Sequence, residues 1–286
     1  MTSSAYTLDR PDPCTTSVVF ASPHSGSHYP EWFLRRTVLN THTIRSSEDA
    51  FVDRLFDAAP QFGAPLLRAG VPRAYVDYNR SAEELDPALI AGVRAVGNNP
   101  RVASGLGVIP RVVANGRAIY RGKIRLDEAE ARLKTYWYPY HAALQGLLNE
   151  AHQSFGQAIL IDCHSMPREA LDALRPKGGK RPEIVLGDRF GTTASAEIVE
   201  EVEAAFASAG FTVSRNAPFA GAYVTQNYGR LGRNQHAIQV EIDRSIYMDE
   251  RLIVPHEGFD DIRQRLHQVI VGIAAIGRSE QRLAAE

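Results

Sequence analysis

The sequence predicts one α/β domain, a central mixed and mostly parallel sheet with helices on both faces. Three observations carry this reading. Strand-like runs alternate with helical patterns along the 286 residues, which is the order that packs helices on both sides of a sheet. Two runs, Ser17-Val-Val-Phe-Ala-Ser-Pro-His-Ser-Gly26 and Ala158-Ile-Leu-Ile-Asp-Cys-His-Ser-Met-Pro167, stay apolar without alternation until they reach a polar turn. Such runs are central strands covered on both faces. No internal repeat or low-complexity linker divides the chain, so residues 1–286 read as a single domain, with 1–15 as a partly ordered N-terminal arm.

The elements follow in order. Residues 17–21 form the first strand, and 30–39 suit a short helix with Pro30 in its first turn. Residues 47–57 suit a better helix, with Ser47 as N-cap, Glu48 and Asp49 in the first turn, and Phe51, Val52, Leu55 and Phe56 as an apolar stripe. Strands are expected at 65–67 and 74–77. The mixed stretch 81–116 reads as an excursion between core elements, of a length that often carries function. The longest helical pattern opens at Leu126, with Asp127 as a cap, is kinked or divided at Pro139, and closes near Gly156. The basic run 175–182 reads as a solvated turn. Residues 184–186 and 211–214 are strands on either side of a helix at 193–207, which Gly210 ends. Residues 221–229 look like a loop with strand character. Residues 237–243 alternate as a strand, and 259–274 form the last helix.

Composition narrows the function. The net charge is −1 and no basic stripe appears, which argues against a nucleic-acid partner. No apolar run is long enough to span a bilayer. Cys14 and Cys163 belong to no CxxC pair and do not read as a disulfide, so a reducing, cytoplasmic setting is expected. G-x-G-x-x-G, the Walker loop, G-x-S-x-G and HExxH are all absent, which removes the commonest nucleotide, serine-hydrolase and zincin signatures.

The polar strand ends carry the chemistry. In open α/β sheets ligands sit beyond the carboxyl ends of the strands, and His24 and His164 both fall there. Either alone reads as an ordinary turn residue, but two in one chain suggest a shared site. Two imidazoles and one carboxylate are a standard ligand set for catalytic zinc, and Glu48 or Asp49 could supply the carboxylate. Glu241 lies inside Ile238-Gln-Val-Glu-Ile242. A central-strand glutamate loses hydration, so it either pairs with a cation such as Arg244 or Arg233 or has a raised pKa suited to a general base. Asn79 and Arg80 end a predicted strand, where the guanidinium fork could hold a carboxylate.

Together these pieces resemble a known family, the N-formylglutamate amidohydrolases, also called N-formylglutamate deformylases. The matching motifs are Ser22-Pro-His-Ser-Gly26, the Ser-Glu-Asp at 47–49 with Val-Asp-Arg-Leu-Phe at 52–56, Val76-Asp-Tyr-Asn-Arg80, Trp137-Tyr-Pro-Tyr-His141, Ile161-Asp-Cys-His-Ser-Met-Pro167, Gly221-Ala-Tyr-Val-Thr-Gln-Asn-Tyr-Gly-Arg230, His236-Ala-Ile-Gln-Val-Glu-Ile242 and Tyr247-Met-Asp-Glu250. Their joint order spans most of the chain. The resemblance implies a hydrolase-like α/β fold distantly similar to the zinc carboxypeptidases. It implies Zn2+ or another divalent metal on His24, His164 and Asp49, with Glu48 as the alternative acid, and Glu241 as general base. It implies Asn79 and Arg80 on the α-carboxylate of a small anionic N-acyl amino acid, and Arg244, Arg233 or Arg121 on a second carboxylate. Asp162 is expected to orient a ligand or to cap the strand end, and Cys163 to point to the opposite face. A deacylase for another N-acyl amino acid and a non-catalytic metal- or carboxylate-binding protein are the competing readings, and a homo-oligomer is left open.

Overall fold

A computed structural model describes residues 4–94, 99–174 and 181–278. The apolar runs pair into one seven-stranded sheet from β1 (Tyr6–Asp9), β2 (Val18–Ser22), β3 (Leu66–Ala69), β4 (Ala158–Met166), β5 (Ile184–Gly187), β6 (Val213–Arg215) and β7 (Gln235–Asp243). Their order across the sheet is β1-β3-β2-β4-β7-β5-β6. β3, β2, β4 and β7 run parallel, as do β5 and β6, while β1 and β5 pair antiparallel to their neighbours β3 and β7. The mixed, mostly parallel sheet is therefore as the sequence predicts. The N-terminal segment is more ordered than an arm, because β1 satisfies its backbone by adding to the edge at β3.

Helices cover both faces. In chain order they are α1 (Glu31–Leu34), α2 (Thr41–Ile44), α3 (Val52–Leu55), α4 (Pro100–Ala103), α5 (Leu126–Arg132), α6 (Tyr138–Phe155), α7 (Ala196–Ser208), α8 (Tyr223–Tyr228) and α9 (Phe259–Ile276). One core joins Leu144, Leu147 and Leu148 of α6 and Val224 and Tyr228 of α8 to Val19, Ala21, Leu160 and Ala237 of the sheet. The other joins Val199, Val202 and Phe206 of α7 and Leu266, Val269 and Ile273 of α9 to Phe20, Ile161, Ile238 and Val240. Burying each such side chain is worth about 1.5–3 kcal/mol. The excursion at 81–116 sends Leu89, Ile90, Val108 and Ile109 into the first core.

Several local expectations give way to tertiary contacts. The helix expected at 47–57 shrinks to α3, and Ser47 caps nothing. Asp49 N–H donates to the His24 carbonyl (3.1 Å) instead, and Phe51 takes the left-handed region at φ 67°. Residues 74–77 form a turn rather than a strand, since the Asp77 carboxylate collects donors from His24, Arg73 and the Asn79 backbone. The helix expected at 30–39 stops at Leu34. The stretch 221–229 forms α8, because Val224 and Tyr228, one turn apart, both find the core. Pro139 follows the division of the long helical run into α5 and α6. It sits in the first turn of α6, after a π-helical turn at Leu133–Trp137. The basic turn at 175–182 lies outside the described residues apart from Arg181 and Pro182.

Candidate active site

Strand register brings the polar residues together. β4 and β7 are parallel, and the Cα partner of His164 is Glu241, while that of Asp162 is Gln239. Side chains two apart share a face, so Asp162, His164, Gln239 and Glu241 all point to one side. Cys163 points to the other, into the core of α7 and α9. His24 follows β2, the neighbour of β4. Its carbonyl holds the Asp49 backbone, which sets the Asp49 carboxylate between the two imidazoles. Asp49 Oδ2 lies 2.9 Å from His164 Nδ1 and 3.3 Å from His24 Nδ1.

One ligand atom from each of His24, Asp49 and His164 lies within 4.8 Å of the others, and all three residues are buried. The orientation of the rings fits a metal. His24 Nε2 faces Asp77 Oδ1 (2.7 Å) and His164 Nε2 faces Asp162 Oδ2 (3.0 Å). A proton on His24 Nε2, hydrogen-bonded to Asp77, leaves its Nδ1 as a lone-pair donor, the arrangement carboxylates impose on metal-binding histidines. His24 Nδ1 is buried without a hydrogen-bond partner. Two imidazole nitrogens and a carboxylate, all buried and converging, are donors suited to a divalent ion of the zinc type.

Charge around the cluster follows from burial and pairing. Burial pushes the Asp49 carboxyl up, but its close pairing with His164 and His24 and the Arg244 charge hold it well below the carboxylate range. Asp77 is held down in the same way, burial being outweighed by His24, Arg73 and Arg80. Glu241 goes the other way. Burial is the largest influence, and its carboxyl is pushed up to about 7. Glu241 Oε1 accepts from Gln239 Nε2 (2.8 Å), and neither Arg244 nor Arg233 pairs with it among the described residues.

A cavity of about 610 Å³ opens over the cluster, lined by His24, Asp49, His164 and Glu241 together with Asn79, Arg80 and Arg244. Glu48 is directed away from the two imidazoles and pairs with Arg45 (2.7 Å). Asn79 spans the site: its Nδ2 is 3.1 Å from His164 Nε2, and its Oδ1 accepts from the Val224 backbone (2.8 Å). Arg80 is buried, and among the described residues its guanidinium donates to the Leu106 and Asn79 carbonyls (3.0 and 2.7 Å). Arg244 reaches the cavity but donates to Asp49 Oδ1 (2.8 Å) and Ser165 Oγ (3.1 Å). Arg233 and Arg121 do not line the cavity. The first is exposed just before β7, at the strand end opposite Glu241, and the second is exposed in a turn.

Some contributors escape sequence reading. Asp77 behind His24 and Arg73 behind Asp77 (3.0 Å) sit on an irregular segment without periodicity. Trp137 and His141, one helical turn apart, clamp the backbone on either side of Asn79. Trp137 Nε1 donates to the Arg80 carbonyl (2.9 Å), and His141 Nε2 to the Tyr78 carbonyl (3.0 Å). Burial drops the His141 imidazole to about 3, so it is neutral and its Nδ1 accepts from the Tyr228 hydroxyl (2.8 Å). Their (i, i+4) spacing was the available signal.

A buried acid beside two imidazoles and a carboxylate, on the carboxyl edge of an α/β sheet, is the arrangement of a hydrolase. The family model for N-formylglutamate amidohydrolase matches residues 16–248, and the chain belongs to that family. It is 34% identical to the N-formylglutamate amidohydrolase of Ralstonia eutropha JMP134, whose crystal structure superposes with a TM-score of 0.88 over 95% of this chain and 98% of that one. It is similar to the N-formylglutamate deformylases of Pseudomonas putida, 27% identical over 236 residues and 82% of each chain, and Pseudomonas aeruginosa, 30% identical over 207 residues and 71% of each chain. No described helix is long and apolar enough to cross a membrane.

Proposed function

We propose that the protein is a metal-dependent deformylase that hydrolyses N-formyl-L-glutamate, or a related N-acyl amino acid, to formate or the corresponding acid and the free amino acid. The observation that carries this is the His24–Asp49–His164 cluster, each imidazole backed by a carboxylate, one strand away from Glu241 in a chain of this family. Zn2+ is the ion favoured by the donor set. His24 Nδ1, Asp49 and His164 Nδ1 would hold such an ion, which would lower the pKa of water toward 7 and polarise the formyl oxygen.

The chain's own groups supply the rest. Glu241 takes the proton of the water that attacks the formyl carbon, then delivers it to the leaving amine. A carboxyl at about 7 is poised for both transfers near neutral pH. Arg80 carries a buried charge with no carboxylate partner among the described residues, and with Asn79 it takes the substrate α-carboxylate. Arg244 and the paired aspartates hold Asp49 and the two rings in position. The free thiols of Cys14 and Cys163 support a reducing, cytoplasmic setting.

The test is a panel of N-formyl and N-acetyl amino acids, assayed with and without chelator, on wild type, His164→Ala and Glu241→Gln. Formate release from N-formylglutamate that chelator abolishes is expected. His164→Ala should lose bound metal, and Glu241→Gln should keep metal and lose turnover. Normal hydrolysis by both variants would falsify the scheme. Preference for an N-acetyl substrate would assign the site to a different deacylase, and metal binding without any turnover would make it a binding protein.

A further inference from the structure

Five arginines line the cavity: Arg73, Arg80, Arg101, Arg189 and Arg244. Arg73 is committed to Asp77, Arg244 to Asp49, and Arg80 to two backbone carbonyls beside Asn79. Arg101 is exposed on a four-residue helix. Arg189 differs from all of these. It is half-buried, and it forms no ion pair among the described residues. Its longest reach is a 3.5 Å contact from Nη1 to the Gly221 carbonyl.

The backbone that carries Arg189 is strained. Arg189, Phe190 and Gly191 follow one another in the left-handed region, at φ 50°, 58° and 81°. Two successive non-glycine residues there persist only where surrounding contacts over-determine them, and such strain gathers at functional sites. The contacts are present. Asn216 Oδ1 accepts from the Asp188 and Phe190 amides (3.1 and 3.3 Å), and its Nδ2 donates to Asp188 Oδ1 (2.6 Å). Asp188 Oδ2 accepts from the Gly191 amide (3.1 Å), and the Arg189 amide donates to the Ala220 carbonyl (2.7 Å). The wall beside the side chain is cut back to admit it. Gly221 has φ 112°, and a Cβ there would stand 3.1 Å from Arg189 Cγ and 2.5 Å from Thr225 Oγ1. Phe190, by contrast, is turned outward and 77% exposed. The strained loop places Arg189 in the lining of the cavity.

We propose that Arg189 is the specificity-determining residue for a second carboxylate, so that the site selects N-acyl amino acids with an acidic side chain over their amides. This rests on the deformylase reading and deepens it. Arg80 takes the α-carboxylate and Arg189 the side-chain carboxylate, whose two oxygens match the planar fork of a guanidinium. A dianion then meets two cations that have no carboxylate partner among the described residues.

The experiment compares N-formyl-L-glutamate with N-formyl-L-glutamine, which has nearly the same shape and no side-chain charge. Wild type should prefer the glutamate substrate. Arg189→Met should lower kcat/KM for it by about 10- to 100-fold, the value of a hydrogen-bonded charge pair, and bring the glutamate-to-glutamine ratio toward one. An unchanged ratio, or a ratio that collapses in Arg101→Met and not in Arg189→Met, overturns the assignment. Calorimetry separates this from the parent reading. In a Glu241→Gln background, Arg189→Met should weaken binding of N-formyl-L-glutamate by the same factor. If wild type releases no formate, the deformylase reading fails and the calorimetry still decides: weaker binding supports Arg189, and equal or absent binding in both proteins overturns it.

Discussion

The two faces of β4 and β7 are equally buried and chemically opposite. On one face Ile159, Ile161 and Cys163 meet Ile238, Val240 and Ile242 under α3, α7 and α9. On the other, Ala158 and Leu160 give way to Asp162 and His164, opposite Gln239 and Glu241. Loss of water acts on both faces, and the outcome depends on the group. On the apolar face desolvation is the stabilising force, at about 25 cal/mol per Å². There burial also pushes the Cys163 thiol up and leaves it inert. On the polar face the same loss must be offset by Asp77, Asp162, Arg73 and Arg244, and it turns Glu241 into a base near neutrality. The difference shows why the site depends on the core: a dry floor fixes the strands that carry the reactive groups.

That contrast breaks apart under mutation. Glu241→Gln should have the largest effect, a loss in kcat of about 10²- to 10⁴-fold with metal content and melting temperature retained. Leu266→Ala, on α9 beneath the other face, should cost about 2–5 kcal/mol of stability. Its kcat should stay near wild type when measured well below its melting temperature, and a large fall there would show that the faces are not separable. Asp162→Asn removes the charge 3.0 Å from His164 Nε2 and should weaken metal affinity by about 10- to 100-fold. Metal titration that finds unaltered affinity would remove Asp162 from the site.

The sequence exposed whatever rests on periodicity. β2 and β4 stood out as apolar runs and β7 as an alternating one, and His24, His164 and Glu241 as polar residues where such runs end or are interrupted. α7 and α9 followed from their stripes. Residues placed by topology did not show. Arg233 looks close to Glu241 in sequence, yet the strand between them carries them to opposite ends of the sheet. Asp77 sits in a turn whose shape comes from its hydrogen bonds, and Arg189 in a loop whose left-handed backbone nothing in Gly187-Asp-Arg-Phe-Gly191 announces. The helix expected from Ser47 failed because the pull of His24 and Arg244 on Asp49 exceeds the roughly 1 kcal/mol of an N-cap.

The smallest expected effect sharpens the comparison through pH. Burial raises the Glu241 carboxyl from its ordinary 4.5 to about 7. Between those values the native, metal-free protein binds a proton that the unfolded chain does not hold. Stability then falls as pH rises: the contribution is complete below 4.5 and lost through about 7. Asp49 and Asp77, with lowered values, lose their contributions only as pH falls below the ordinary 3.8. His164, raised, loses its own only above 6.5. His141 and His236, lowered by burial, titrate in the unfolded chain across the same window, from 4.5 to 6.5, with the opposite sign, so it is the difference between wild type and Glu241→Gln that isolates Glu241. In chelator-treated protein, the melting temperature of wild type should decline across that window relative to Glu241→Gln. A parallel course of the two would mean that Glu241 titrates as an ordinary surface acid. Leu266→Ala, which touches only the apolar face, should lower the whole curve and leave its slope intact.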